Sequence, residues 1–492
     1  MQKSVSRGGA FRRRAGAAVA SCFAVAILAH AQESVAAGLY FSDRGVRPLG
    51  RGGAFIAGAD DLGAIWYNPS GIVDAPSSLL LDASWLHYTS DFTRRALTTS
   101  STGTTFVQGF PEVHGSTPVL PIPTIAGSFR FGEQKQYAVA FGMYAPYTAV
   151  TSYPQQIANP DGSLSPAPQR YSLISLDGSA LVVLGAWFAY RPADEIRVGA
   201  GVQMLTGFFK TTVDFSACPP DNLVCAGEDP NYDAYSQLTV GPIFAPSANA
   251  GVTWVPSHLV RLAVSGQAPF LVGAPATVDV RLPTAPEFDN ATQRGNQAHV
   301  GFELPPVVRV GVELRPLDLD HDLRIELAYV REFWSVHRSI DITPENIRIY
   351  GITGFPSPFG VSPISVPRGG QDSNSVRLGG EYEFDLSGYQ LQARGGVAYE
   401  TSGIKQAYVS PLTIDSDKWS ASIGGSLYLG KHWRFDGVLA HVFASDVTVS
   451  PQEAAVPRVN PVKGNPTATP AVNGGSYSSR ADVLGVGLQY VF

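Results

Sequence analysis

From Ser78 to the C-terminal Phe492, apolar residues alternate with small or polar residues at a period of two. The last segment shows the pattern most clearly. One set of alternate residues is large: Leu484, Val486, Leu488, Tyr490 and Phe492. The intervening set is smaller and more polar: Val483, Gly485, Gly487, Gln489 and Val491. Because side chains alternate between the two faces of a strand, this segment is predicted to face lipid on one side and a lumen on the other.

The same period predicts fifteen strand-like runs separated by turn residues. They are Ser78–Tyr88, Thr124–Phe131, Tyr137–Tyr147, Tyr171–Tyr190, Ile196–Phe215, Ala245–Val255, Val260–Phe270, Ala276–Leu282, Val307–Leu314, Leu323–Phe333, Ser375–Phe384, Leu391–Tyr399, Trp419–Leu429, Trp433–Phe443 and Ala481–Phe492. Single-chain bacterial barrels have even strand numbers, so we expect about 14 strands, with one run miscounted or split.

The connections between these runs alternate in length. Short ones are expected as periplasmic turns: Gly132–Gln136, Arg191–Glu195 and Gly430–His432. Long ones are expected as extracellular loops: Thr89–Pro123, Thr148–Arg170, Ser216–Ile243, Ser335–Asn374, Thr401–Lys418 and Ser445–Arg480. This alternation is typical of outer-membrane barrels.

Composition favours a membrane barrel over a soluble β-solenoid or sandwich. Charged residues make up 15% of the chain, with 51 Gly, 20 Tyr and 25 Phe, whereas ordinary soluble domains carry about 25% charged residues. The longest apolar run after the N-terminal region, Ser179–Tyr190, is too short for a helix that spans a membrane. The net charge of −6 gives no reason to expect a nucleic-acid partner.

Residues 1–36 are predicted to be a cleaved secretory signal. The basic run Arg12–Arg14 precedes the apolar stretch Ala15–Ala29, which is shorter than the roughly 20 residues of a membrane span. A lipoprotein signal ending before Cys22 is the alternative, but the apolar stretch continues past that cysteine. Either way the chain is exported.

Two cysteines remain in the exported chain, Cys218 and Cys225, in the turn-rich sequence "ACPPDNLVCAG". In an oxidising compartment such a pair predicts a small disulfide. A redox or metal-binding pair is the alternative, and it lacks a CxxC spacing and a nearby His.

No motif predicts an enzyme, a cofactor or a metal site. The stretch Gly424–His432 approaches a phosphate-binding loop but has His432 where Ser or Thr is needed, and no helix follows. The chain contains no GxSxG elbow and no HExxH pair. A barrel hydrolase with residues converging from several strands stays open as a minor alternative.

A different kind of segment, "GADDLGAIWYNPSGI", precedes the strands. Asp60 and Asp61 are expected to cap a short helix over Leu62–Tyr67, because acids at a helix start bind free amides and suit the dipole. Pro69 disfavours helical geometry at Asn68, so the helix must end there.

Such short helical pieces are unstable alone and need an enclosure. Barrels of about eight strands are filled by their own side chains, whereas larger ones leave a channel or carry a plug. We therefore expect residues 37–77 to form a hatch inside a barrel built from residues 78–492. The N-terminal helix pair of a soluble domain is the alternative.

The sequence "GLYFSDRGVRPLGRGGAFIAGADDLGAIWYNPSGI" resembles the N-terminal hatch of the FadL/TodX family of outer-membrane transporters of hydrophobic compounds. Asn68-Pro69-Ser70 stands where that family usually has Asn-Pro-Ala. The resemblance continues through "LPIPTIAGSFRF", "FGMYAPY", "LPPVVRVGVELRP", "IELAYVREFWS", "RGGVAYETSGI" and "YSSRADVLGVGLQYVF". It thus covers nearly the whole exported chain, and it favours signal cleavage after Ala36.

The resemblance implies a monomeric 14-stranded barrel in the outer membrane of a Gram-negative cell, surrounded by lipid and lipopolysaccharide. It implies passive transport of long-chain fatty acids or aromatic hydrocarbons, which bind in an apolar lumen pocket and leave through a lateral opening when the hatch moves. The hatch and gating positions it implies are Asp60, Asp61, Asn68, Pro69 and Ser70. A polar-solute porin and a surface adhesin barrel are the alternatives, and the substrate stays open among fatty acids, alkanes and aromatics.

Overall fold

A computed structural model describes residues 43–100, 103–119, 121–145, 150–218, 225, 228–316 and 323–492. The expected signal, residues 1–36, and the first residues of the expected hatch lie outside this part of the chain. Among the described residues, no helix has the length and apolar character needed to cross a bilayer.

From residue 43 on, where the structure describes the chain, two short α-helices and one 3₁₀ helix precede the first strand: α1 (Val46–Gly50), α2 (Ala64–Tyr67) and η1 (Pro69–Val73). The later 3₁₀ helices are Pro230–Tyr232, Pro286–Phe288, Trp334–Val336 and Gln406–Tyr408.

The described strands, in chain order, are β1 (Ser78–Thr99), β2 (Thr105–Ser116), β3 (Pro121–Phe131), β4 (Tyr137–Tyr144), β5 (Gln156–Ala158), β6 (Leu164–Pro166), β7 (Ala180–Ala193), β8 (Ile196–Ser216), β9 (Asp233–Ser257), β10 (Val260–Gln267), β11 (Phe270–Arg281), β12 (Thr292–Arg294), β13 (Gln297–Leu304), β14 (Val307–Leu314), β15 (Leu323–Glu332), β16 (Ser339–Pro344), β17 (Arg348–Tyr350), β18 (Phe359–Gly360), β19 (Ile364–Pro367), β20 (Ser373–Leu386), β21 (Tyr389–Glu400), β22 (Lys418–Leu429), β23 (Trp433–Ala444), β24 (Val447–Val449) and β25 (Gly475–Val491).

Twenty of these strands belong to one sheet, which closes into an antiparallel barrel of 14 strands, as the sequence predicted. The others form two small separate sheets, β5–β6 and β12–β17–β18. The barrel closes where β1 pairs with β25, from Ser78 opposite Val491 to Arg94 opposite Gly475. Four barrel strands are broken in two along their length, namely β2/β3, β10/β11, β13/β14 and β15/β16. Short turns lie at the end that holds Ser78 and Val491, so this end is periplasmic and the long connections are extracellular.

The lipid-facing alternation predicted for the last strand is present. Leu484 and Val486 are about half exposed, whereas Val483 is buried, and the buried and exposed positions alternate along β25. The same alternation runs along β14, which places apolar residues outside and polar ones inside.

Several predicted boundaries were wrong. The fifteen runs become 14 strands because Val260–Phe270 and Ala276–Leu282 are two halves of one strand, interrupted near Pro269. The expected loop Thr89–Pro123 is mostly a hairpin of β1 and β2 that extends above the membrane. Its polar, Thr-rich strands lack the apolar face on which the prediction relied.

Two further boundaries moved for local reasons. The run Tyr171–Tyr190 is a strand only from Ala180, because Gly178 has a φ of 85° and turns the chain before it. The run Ala245–Val255 extends back to Asp233, since β8 and β9 shift register at Gly207 and the ladder continues past Pro242. The expected loop Ser335–Asn374 contains β16 to β19.

Candidate functional site

The described part of the hatch, residues 43–77, lies inside the barrel and is almost completely buried. Its apolar side chains Phe55, Ile65 and Trp66 are at most 3% exposed. Barrel-wall glycines allow its backbone to approach closely. A Cβ on Gly379 would lie 1.9 Å from the carbonyl oxygen of Arg51, and a Cβ on Gly251 would lie 2.1 Å from Asn68 Oδ1.

Asn68 is the centre of a buried hydrogen-bond network that joins the hatch to the wall. Its Nδ2 donates to the carbonyl of Ile56 and to Thr253 Oγ1, both at 2.9 Å. Its Oδ1 accepts from the amide of Ser70 at 3.2 Å and from Ser70 Oγ at 2.7 Å. The backbone of Asn68 is extended, with a φ of −161°, so α2 ends there and η1 begins at Pro69. The helix stop was predicted, whereas the new 3₁₀ helix was not.

Ser70 shows why a hydroxyl fits where the resembling family has Ala. Its Oγ lies 2.8 Å from Thr253 Oγ1 on β9 and donates to Asn68 Oδ1. Ser70 and Thr253 are both buried. The hydroxyl therefore connects the hatch to the wall instead of occupying empty space.

Asp60 and Asp61 belong to a buried ion-pair network. The predicted capping role was wrong, because the helix begins at Ala64 with Gly63 as its N-cap and has no capping side chain and no acid in its first turn. Asp61 Oδ1 accepts from the amide of Gly63 at 2.8 Å. Arg47 of α1 lies 2.7 Å from Asp60 Oδ1 and 3.2 Å from Asp61 Oδ2, and Arg324 on the wall lies 2.7 Å from Asp60 Oδ2. Burial opposes the charge of Asp60, but Arg324 and Arg47 outweigh it and hold the pKa of Asp60 well below its usual value.

The sequence did not predict the barrel-wall residues that bind the hatch. Glu381 on β20 lies 2.6 Å from Arg47 and 3.5 Å from Arg51. Glu313 on β14 lies 2.9 Å from Arg51. Glu326 on β15 accepts from three consecutive hatch amides, those of Ile56, Ala57 and Gly58, at 2.6 to 3.0 Å. A signal for them existed, because all three acids lie in strands of a chain with few charges.

An apolar cavity lies at the extracellular end of the barrel and is partly open to the outside. Its walls come from the upper parts of β8, β9 and β11, from β16 and β19, and from the last long loop. On β8, Gly199 contacts the hatch at Pro69, whereas Phe209, ten positions further, lines the cavity. At about 3.3 Å per residue the two sites are roughly 33 Å apart along the strand.

Buried apolar side chains connect the cavity to the hatch in one continuous cluster. At the cavity end it contains Ile342, Ile364 and Val459, and at the hatch end Ile65 and Trp66. Between them the cluster includes Leu205, Leu238, Val240, Ile243 and Phe270. The buried side chains between the cavity and the hatch are therefore continuously apolar.

The structure joins Cys218 and Cys225 in a disulfide. Both cysteines pack in a small apolar cluster with Val462, which also lines the cavity. The disulfide therefore lies beside the cavity.

One group of possible metal ligands is present among the described residues, formed by Asp91, Glu112 and His114 on the β1–β2 hairpin. Glu112 and His114 are exposed, and His114 Nδ1 already lies 2.6 Å from Asp91 Oδ1. This group shares no residue with the cavity or the hatch network.

A closed antiparallel barrel with an apolar outer face and a lumen filled by its own N-terminal segment defines an outer-membrane β-barrel of the transport class. The chain belongs to the outer membrane protein transport protein family (OMPP1/FadL/TodX), whose model matches residues 27–492. Members of this family transport hydrophobic compounds across the outer membrane. No curated protein sequence matches the chain significantly.

Solved structures with the same fold include a Pseudomonas aeruginosa FadL homologue, with 15% identity, a TM-score of 0.69, and 92% of this chain and 100% of that chain covered. The Pseudomonas putida toluene transporter TodX shares 13% identity at a TM-score of 0.58, with 92% and 99% covered. The Ralstonia pickettii toluene transporter TbuX shares 17% identity at a TM-score of 0.52, with the same coverage.

Proposed function

We propose that this protein carries a hydrophobic compound passively from the extracellular cavity, along the apolar lining of the lumen, to the hatch, which moves to let the compound leave through the barrel wall. The observation that supports this most is the continuous apolar cluster from Ile364 to Trp66. A polar solute gains nothing from such a lining. The protein is proposed to act as a monomer surrounded by outer-membrane lipid and lipopolysaccharide, since one chain builds both the cavity and the hatch.

A dry cavity explains how a sparingly soluble compound is captured. Burying an acyl chain of about 15 methylenes is worth up to roughly 12 kcal/mol at about 0.8 kcal/mol per CH₂. Binding costs reduce this value, and what is left still allows micromolar to nanomolar affinity. A tight site releases slowly, so transport needs a second state that binds more weakly.

The hatch is the proposed moving part because its own secondary structure is weak. Its helices are only four or five residues long, and such helices are not stable alone. Side-chain contacts with the wall hold it, from hatch residues such as Arg47 and Asn68 and from wall residues such as Glu326. A change in these side-chain contacts releases the segment without breaking the strand ladder.

The structure argues against a polar-solute porin. The lumen charges at Arg47, Arg51, Glu313 and Glu381 are buried and paired with one another, so they do not line an open aqueous channel. A porin predicts steady single-channel conductance in a planar bilayer, whereas the transporter proposed here predicts almost none.

The test is uptake of radiolabelled oleate and of toluene by cells that lack their own transporter. Leu238 is 7% exposed, lines the cavity and belongs to the apolar cluster, so Leu238→Asp places a charge in the proposed route. Gln237→Asp is the matched control, because its side chain points to the other face of the same strand. Uptake above the empty-vector rate that Leu238→Asp abolishes and Gln237→Asp keeps would support the proposal. Equal uptake by both variants, at equal surface expression, would refute it.

A further inference from the structure

The outer face of the β1–β2 hairpin carries a compact group of metal-ligating side chains, with Asp91 on β1 and Glu112 and His114 on β2. One ligand atom of each residue lies within 4.8 Å of those of the other two. His114 Nδ1 lies 2.6 Å from Asp91 Oδ1, and His114 Nε2 lies 3.7 Å from Glu112 Oε1. Two ligand atoms on one zinc ion are about 3.4 Å apart, so small side-chain rotations bring all three residues to one ion.

The β ladder fixes this arrangement from two strands. Asp91 and His114 are directly opposite each other in the register of β1 and β2, and Glu112 lies two positions before His114 on the same face. Residues opposite each other, and residues two apart on one strand, are neighbours on one face of a sheet. The three side chains therefore start from backbone positions that the ladder holds, at the base of the hairpin rather than at its tip.

Hydroxyl groups orient both carboxylates. Ser478 Oγ donates to Asp91 Oδ2 and Thr93 Oγ1 donates to Glu112 Oε2, both at 3.1 Å. The other oxygens, Asp91 Oδ1 and Glu112 Oε1, are the ones that face His114. Carboxylates that bind metal ions are held by outer hydrogen bonds of this kind. Each acid thus keeps one oxygen directed at the place where an ion would lie.

Charge and access also suit a cation. Within the described ranges, His114 is the only basic side chain paired with Asp91 or Glu112. The side chains of His114, Glu112 and Asp91 are 72%, 52% and 37% exposed, so an ion reaches them from the medium. The histidine distinguishes this group from an exposed acidic pair, because imidazole suits zinc, copper and nickel, whereas magnesium and calcium prefer oxygen ligands.

We propose that Asp91, Glu112 and His114 bind one divalent transition-metal ion of the zinc class on the extracellular surface of the barrel. The ion replaces the direct hydrogen bond between His114 and Asp91, and water completes its coordination, as in other zinc sites with three protein ligands. The ladder shifts register between Thr93 and Arg95, just beyond the site. Because such a bulge interrupts pairing, the ion ties β2 to β1 where their ladder is weakest. The site is separate from the cavity and the hatch.

The experiment titrates zinc into the purified, untagged full-length protein in detergent micelles, by calorimetry at about pH 8, where imidazole is deprotonated. The wild type should bind one zinc ion per chain, and an equal concentration of magnesium or calcium should not displace it. His114→Gln should weaken zinc binding at least about 10-fold, since losing even a residue that only orients a ligand costs about 10- to 100-fold. Asp91→Asn should weaken it similarly. With copper(II), the electron paramagnetic resonance spectrum of the wild type should show coupling to one imidazole nitrogen, and His114→Gln should lose that coupling.

His441→Gln is the matched control. His441 Nδ1 lies 2.5 Å from Asp482 Oδ1 on the barrel exterior, and this pair belongs to no group of three ligands in the described part of the chain. The control should leave the zinc affinity and the copper spectrum unchanged. The substituted side chains are at least partly exposed, so each variant should keep the β-sheet circular dichroism of the wild type. No zinc binding by the wild type, displacement of zinc by equal magnesium, or binding that His114→Gln and Asp91→Asn leave intact would overturn the proposal. Loss of binding in His441→Gln would overturn it as well.

Discussion

Replacing Asn68 by alanine should loosen the hatch without unfolding the barrel. The substitution removes two donated and two accepted hydrogen bonds of a fully buried side chain. Each is worth about 0.5–1.5 kcal/mol, and Ser70 and Thr253 keep their mutual bond. Only the bond to Thr253 reaches the wall, and the other three lie within the hatch. We therefore expect the folded, docked state of the hatch to lose about 2–4 kcal/mol relative to its open state, or roughly 30- to 1000-fold in the opening equilibrium.

Amide hydrogen exchange measures this effect directly. In Asn68→Ala, exchange at the amides of Ser70 and Gly71 should accelerate by that factor, while amides of the β1–β25 ladder keep their protection. Asn374→Ala is the control, since Asn374 accepts a bond from Tyr329 on the extracellular side and lies outside the hatch network. Unchanged hatch exchange in Asn68→Ala, or faster exchange throughout the barrel, would refute the reasoning.

Three further outcomes follow from the same contacts. Glu381→Gln leaves several buried guanidinium groups without their shared anion and should destabilise hatch docking by about 3–5 kcal/mol, seen as faster exchange in the hatch and not in the strands. Gly379→Ala should displace the hatch because its Cβ would clash with Arg51. Gly437→Ala is the control, because a Cβ at Gly437 has no atom within 4 Å. Trypsin cleavage after Arg51 should appear only in Gly379→Ala. Burial lowers the pKa of His337 from 6.5 to about 4. Packing of its loop should therefore be fully stable above pH 6.5 and lose about 3 kcal/mol as pH falls toward 4. Hydrogen exchange of that loop should show this pH dependence in the wild type and lose it in His337→Phe.

The barrel could be predicted because its strands and turns depend on residues that are close together in sequence. Alternation in β25 and the short turns follow from the period of a strand in lipid, and each is visible within a dozen residues. The broken strand at Pro269 accounts for the fifteenth run, since a proline inside a run looks like a boundary in sequence while the neighbouring strands hold both halves in line; the expected number of about 14 strands is confirmed.

The site was predictable only in part. The Asn68-Pro69 break marks the end of a helix in sequence, but the partner of Asn68 is Thr253, on a strand far along the chain. The pairing of Arg47 with Glu381 depends on how the hatch sits within the closed barrel, and no local pattern encodes that register.

The central claim is that the hatch must move for substrate to pass, and a reversible lock tests it. The side-chain oxygens of Ser70 and Thr253 lie 2.8 Å apart, which places their β-carbons close enough for a disulfide in the double variant Ser70→Cys/Thr253→Cys. Each single variant and the wild type receive the same oxidant and reductant, which accounts for any effect on Cys218–Cys225.

Uptake of radiolabelled oleate by cells that express the locked protein is the decisive measurement. The account predicts that uptake falls to the empty-vector rate when mass spectrometry shows the bond formed, and that reductant restores it. Wild-type uptake through a fully locked hatch would contradict the account.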